Sequence, residues 1–202
     1  MKKFGALLLA IIMVFMLVAC NGQKVELSRG TIEGDVYKNE SLGFEFTKPA
    51  SWVYATDEEI ADSLNIAVDN ILGDNFKEAL ENNPAIYDMM VVDMITGTNI
   101  NIVYENLKKS FATNITEEQY VDALKRQVSG VSGMTVSFPD ELEKVKLGEG
   151  DFTKCVCNTT LSGFNATMTQ VYYLCKVDGY MVSVIVTITS GYTVTDIEAM
   201  FK

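Results

Sequence analysis

The pair Asp178-Gly179 constrains this chain more than any other feature, because it stands between two long runs of alternating apolar residues, Thr167 to Val177 and Tyr180 to Thr189. Asp-Gly is a two-residue turn signal, so the runs must fold back on each other as antiparallel strands. The turn also sets the register: Val177 opposes Tyr180, Cys175 opposes Val182, Tyr173 opposes Val184, Val171 opposes Val186 and Thr169 opposes Ile188. That face is apolar and belongs to a core. Further strands are expected at Met134 to Phe138, Leu142 to Leu147 and Phe152 to Leu161. A loop at Phe164-Asn165-Ala166 would place Cys155 opposite Cys175, Cys157 opposite Tyr173 and Leu161 opposite Thr169, with all three cysteines inward.

Upstream, Val36-Tyr37 and Phe44 to Thr47 form short strands around the loop Asn39 to Gly43, and Trp52 can close one end of the core. Asp57-Glu58-Glu59 opens a helix whose apolar positions are Ile60, Leu64, Ala67, Val68, Ile71 and Leu72. A short helix follows over Asn75 to Glu81, stopped by Asn82-Asn83-Pro84. A hairpin then runs from Ile86 to Ile95 and from Asn99 to Glu105 around a turn at Thr96-Gly97-Thr98; Met90, Val92 and Met94 share one face and Ile100, Ile102 and Tyr104 another, and the two meet only if the turn sets an even register. Thr116-Glu117-Glu118-Gln119 fits a capping box for a helix striped by Tyr120, Leu124 and Val128 and ended by Gly130 and Gly133. A last helix near Thr195 carries Ile197, Ala199, Met200 and Phe201. The fold class expected is α+β, an antiparallel sheet with helices packed on it.

The N-terminus reads differently. Met1-Lys2-Lys3 precedes an apolar run from Phe4 to Ala19, too short for the roughly 20 residues of a membrane span and typical of a secretory signal. It ends in Leu17-Val18-Ala19-Cys20, which resembles the bacterial lipobox. The resemblance implies cleavage before Cys20, a diacylglyceryl thioether on its sulfur, and residence at the extracytoplasmic face of the cell membrane. Two acyl chains anchor stably where one would not. The expected organisation is a signal peptide over 1–19, a lipidated tether over 20–34 and one domain over 35–202.

Losing Lys2 and Lys3 with the leader takes the formal charge from −11 to about −13. Such a surface repels phosphate backbones, so nucleic acid is not an expected partner. The chain has no histidine, which removes Ser-His-Asp and Cys-His catalysis and histidine metal sites together. No glycine-rich phosphate loop or nucleophile elbow is present, and no cofactor is expected. The acids Asp57, Glu58, Asp62, Asp69 and Asp74 do not follow an EF-hand spacing and read as a solvated helix start. Methionines at alternating strand positions read as core filling and not as a copper site. With Cys20 lipidated, Cys155 and Cys175 are the best-placed disulfide pair; three buried free thiols, or a Cys155-x-Cys157 metal or redox site, are the alternatives.

The segment Tyr37-Lys38-Asn39-Glu40-Ser41-Leu42-Gly43-Phe44-Glu45-Phe46-Thr47-Lys48-Pro49-Ala50-Ser51-Trp52 resembles the opening of many small lipoproteins of Gram-positive anaerobes. It is also similar to the start of PsbP-like proteins, where a Gly-Phe-x-Phe strand leads into a Pro-x-x-Trp turn. That resemblance implies an α/β/α sandwich over roughly residues 35 to 202. Relatives of this kind include an extrinsic subunit of the photosynthetic water-oxidising complex and a nuclear import factor, so it implies a binding or assembly module without a shared active site. No ligand residue carries over from them. The function expected is a non-enzymatic envelope lipoprotein that binds a protein or small ligand. A solute-binding lipoprotein of a transporter is the alternative, and a hydrolase using carboxylates and a metal a more distant one.

Overall fold

The computed structural model describes residues 26–64, 76–110, 113–129, 131–161 and 166–202. The leader, Cys20, Asp69, Asp74 and the loop at Phe164-Asn165 lie outside them. The fold is α+β, dominated by antiparallel strands. A small sheet has the order β1 (Thr31–Glu33), β2 (Val36–Asn39), β3 (Phe44–Thr47). Next along the chain come β4 (Trp52–Tyr54), helices α1 (Asp57–Leu64) and α2 (Phe76–Asn82), and the hairpin β5 (Ala85–Asp93) and β6 (Asn99–Asn106). Helix α3 (Glu117–Val128) precedes β7 (Met134–Ser137), β8 (Glu143–Leu147), β9 (Gly150–Leu161), β10 (Ala166–Val177) and β11 (Tyr180–Ile188), and α4 (Val194–Glu198) follows. The large sheet has the order β4-β5-β6-β11-β10-β9-β7, with β8 also paired to β9.

The two faces of the large sheet carry different layers. On one, Tyr37, Phe44 and Phe46 of the small sheet, Leu80 of α2 and Ile197 of α4 pack on Ile100, Ile102, Val182, Val184 and Tyr173. On the other, α1 brings Ile60 and Ala61 onto Tyr87, Met90 and Val103. Beside it, α3 brings Val121, Leu124 and Val128 onto Cys155, Cys157, Tyr172, Leu174 and Met181. Both helices start on reciprocal caps, Thr56 with Glu59 and Thr116 with Gln119. Trp52 is buried and its Nε1 donates to the Tyr192 hydroxyl at 2.9 Å.

The β10–β11 register is the one the turn dictates, from Val177 opposite Tyr180 to Thr169 opposite Ile188, with Asp178 and Gly179 both at positive φ. The β9–β10 register is not the expected one. Leu161 opposes Ala166, Cys155 opposes Tyr172 and Cys157 opposes Gln170, a slip of three residues. An odd slip exchanges the faces. Cys155 and Cys157 therefore lie under α3, while Cys175 packs toward the small-sheet core. With Cys155 and Cys175 on opposite faces the possible Cys155–Cys175 disulfide is not formed in this structure, where Cys155, Cys157 and Cys175 are free.

In the β5–β6 hairpin the condition of an even register is not met. Met90 opposes Asn101, not Ile100 or Ile102, and stands on the α1 side; Met89 and Val91 meet Ile102 and Ile100 instead. Met94 and Ile95 lie past the strand end and are exposed. The cause is a β-bulge: Ile86 pairs with Tyr104 and Met89 with Ile102, so β5 spends an extra residue, Asp88.

The bulge turns the Asp88 carboxylate into the interior, where it is resolvated by the chain. Its Oδ2 accepts from the Tyr37 hydroxyl, from the Tyr104 hydroxyl at 3.1 Å and from the Gly30 amide at 3.0 Å, and Arg29 Nε lies 3.4 Å from Oδ1. Asn39 Nδ2 donates to the Tyr104 oxygen at 2.7 Å. Burial pushes the carboxyl up from its ordinary value, and the bonds from Tyr37, Gly30 and Tyr104 and the Arg29 charge hold it back. Gly30 lies so close to the Tyr37 ring that a Cβ there would collide with it. Residues 28–33, assigned to the tether by their polarity, thus belong to the domain: backbone pairing and a buried carboxylate hold them. Asp88→Ala leaves this group of donors unpaired, and we expect it to lower stability by about 3 kcal/mol in urea unfolding, against about 1 kcal/mol for Tyr37→Phe. Equal small losses from both would show that Asp88 is not the hub.

Candidate functional site

Strand β6 is buried along its whole length, and its alternation sends Ile100, Ile102 and Tyr104 to the small-sheet core and Asn99, Asn101, Val103 and Glu105 to the helix side. A face covered by helices is normally apolar. Here it is apolar only directly beneath α1 and α3. Asn99 lies beside Thr187, and Thr187 beside Gln170, which accepts from the Thr159 hydroxyl at 3.2 Å. All of these residues are at least nine-tenths buried. Ile185, next to Asn101, packs against both helix-covered clusters. The polar residues therefore form a seam along the margin of the two apolar patches, which Ile185 joins.

Most of the seam is internally satisfied. Asn101 Nδ2 donates to Asn99 Oδ1 at 3.0 Å, and Asn99 Nδ2 donates to the Gly97 carbonyl at 3.1 Å. Two acceptors remain: Asn101 Oδ1 and Glu105 Oε1 are buried and have no hydrogen-bond partner among the described residues. A buried acceptor without a donor costs about 1–3 kcal/mol, and few are left in folded proteins. Both are on the same strand and the same face.

Glu105 is the more consequential of the two. It is 5% exposed, and its Oε2 accepts from the Tyr120 hydroxyl of α3 at 2.7 Å. Burial pushes its carboxyl up to about 7, with the Tyr120 bond acting in the opposite direction. Tyr87 of β5, diagonal to Glu105 across the strand pair, has its phenol pushed up to about 12 by burial and by the Glu105 charge. No lysine or arginine among the described residues pairs with Glu105. Asp88, by contrast, has both a cation and a full set of donors.

The chain was compared with protein-family models and with curated proteins, and it matches none of them. Its own geometry is accordingly the ground for a functional reading.

The remaining groups singled out in the sequence are accounted for as follows. Asp57 accepts from Arg29 Nη2 at 2.7 Å, which ties the start of α1 to the same N-terminal segment that binds Asp88. Cys155 and Cys157 share a face of β9 with their sulfurs 3.6 Å apart, and both are fully buried. Either thiol can donate to the other, and the contact lowers the Cys155 thiol and raises that of Cys157. Burial, aided by Glu117 and Asp151, pushes Cys175 up to about 11. A cleft of about 520 Å³ opens beside β8 and β9 over Glu117, Lys144, Asp151 and Phe152. Its charges are already used: Glu117 accepts from the Lys176 amide and Lys144 pairs with Thr153 and Glu118.

Asp88, Asn101 and Glu105 were not singled out in the sequence. Their signal is there, a charged or amide residue inside an otherwise apolar strand. Because Glu105 binds its proton more tightly in the folded state, stability is highest below its ordinary value and falls as pH rises from about 4.5 through about 7. The expected loss is about 3 kcal/mol over that window in unfolding titrations, absent in Glu105→Gln. An identical pH profile in that variant would contradict it. Alkylation of the unfolded, unreduced chain should likewise label Cys155, Cys157 and Cys175 together, whereas a single labelled thiol would restore the disulfide.

Proposed function

We propose that the chain is a lipid-anchored extracytoplasmic binding module with a PsbP-like domain, acting without catalysis on a small ligand that donates hydrogen bonds into the seam between α1 and α3. The observation that carries this reading is the pair of buried acceptors, Asn101 Oδ1 and Glu105 Oε1, left without donors among the described residues on a helix-covered sheet face. A fold that only had to be stable would do better with apolar residues there. Stability given up at one place is the usual signature of a site.

The anchor rests on Leu17-Val18-Ala19-Cys20, and the PsbP-like assignment on the stretch from Tyr37 to Trp52, whose Phe44–Thr47 strand leads through Pro49 to a buried Trp52. The lack of histidine leaves the seam without a nucleophile-activating base of the usual kind. Binding is the chemistry its residues offer.

Two measurements test the two halves. Cell fractionation should find Cys20→Ser in the medium, folded, and retention of that variant at the membrane would overturn the anchor. Native mass spectrometry of the full-length chain, purified from envelopes in mild detergent, should show bound mass beyond the lipid that Asn101→Leu reduces at least about tenfold, the effect of about 1.4 kcal/mol of lost interaction. A wild type that carries nothing, and that no donor-bearing compound stabilises in a thermal-shift screen, would count against the seam.

A further inference from the structure

The acceptor at Glu105 differs from the one at Asn101 in carrying charge when ionised, and no cation among the described residues pairs with it. A carboxylate that is 5% exposed is stable in its ionised form only when paired. The side chains that face it are phenols: Tyr120 from α3, which donates to Oε2, and Tyr87 from β5. Ser183 of β11 and Tyr172 of β10 stand next to Tyr120, and Lys176 lies across Met181 in the same row of the sheet. Burial, together with the Glu105 charge, raises the Tyr87 and Tyr120 phenols, so no ionised phenol competes for a cation. A hard divalent ion needs about six oxygen ligands, and one carboxylate does not provide them. An ammonium group needs one carboxylate and benefits from aromatic faces beside it. The acidic chain as a whole, at −11, enriches cations around it.

We infer that Glu105 anchors a protonated amine, whose N–H donates to the free Oε1 beside the phenols of Tyr87 and Tyr120. This rests on the seam being a ligand site, and it names the charged end of the ligand. Asn101 Oδ1, four residues along the same strand face, takes a second and neutral donor. The amine binds to the ionised carboxylate, so binding strengthens as the carboxyl, pushed up to about 7, loses its proton.

The test is calorimetric titration of the full-length chain in detergent with n-butylammonium and with n-butanol at pH 6 and pH 8, at constant ionic strength. Butylammonium should bind, about tenfold more tightly at pH 8 than at pH 6, because ionisation of a carboxyl near 7 changes by that factor; butanol should not. Glu105→Gln should lose the binding and its pH dependence. Tyr120→Phe removes the donor that stabilises the carboxylate, so it should keep binding at high pH and move the midpoint upward, which also covers the case in which Glu105→Gln fails to fold. No binding of butylammonium, binding independent of pH, or binding unchanged in Glu105→Gln overturns the amine. If N-methylacetamide binds instead and Asn101→Leu abolishes it, the amine fails and the seam survives; if neither probe binds, both fail.

Discussion

A carboxylate taken out of water has to be solvated again by the protein, and Asp88 sets much of this architecture by that requirement. The bulge in β5 delivers it to the core side, and the groups that satisfy it come from three separate pieces of chain: Tyr37 of β2, Tyr104 of β6, and the segment Arg29-Gly30. The small sheet, the large sheet and the N-terminal entry to the domain are thereby joined at one atom pair. The same segment reaches α1 through Arg29 and Asp57. The placement of β1 and the approach of α1 follow from one buried charge.

Set beside Asp88, Glu105 shows what distinguishes a structural acid from a candidate binding acid. Both are buried on β5 or β6, and burial raises both carboxyls. Asp88 has a guanidinium, a backbone amide and two phenols; Glu105 has one phenol and an open oxygen. Saturation makes Asp88 a hub whose loss costs stability. Incompleteness leaves Glu105 with a buried oxygen that no described residue satisfies.

The sequence carries the fold class and the parts of the register that a local turn determines. Asp178-Gly179 is the clearest case: a two-residue turn leaves no slack, and every pair from Val177–Tyr180 to Thr169–Ile188 follows. The β9–β10 connection has no such signal, and a slip of three residues was enough to move Cys155 and Cys157 to the opposite face from Cys175. Side-chain period two makes parity the whole question. The bulge at Asp88 is illegible for the same reason, since one inserted residue reverses which of Met89 and Met90 meets the core. The seam was legible only in part. Asn99, Asn101 and Glu105 interrupt an apolar strand, yet their lack of partners depends on what lies across β11, β5 and α3, which no local pattern encodes.

The clasp and the seam also bear on each other. From Cys20 to Gly30 is ten residues, at most about 35 Å of extended chain. On the proposed anchoring, the domain is held that close to the membrane by a segment gripped at Asp88 and tied to the first turn of α1. Helix α1 is one of the two that flank the seam. If the chain is anchored in this way, a short tether clasped at this point limits how far the domain can turn. A free random tether of the same length would bring every face to the membrane in turn. On that anchoring the polar residues of 28–30 restrict orientation, because the buried Asp88 carboxylate and Asp57 grip the very segment that leads to the lipid.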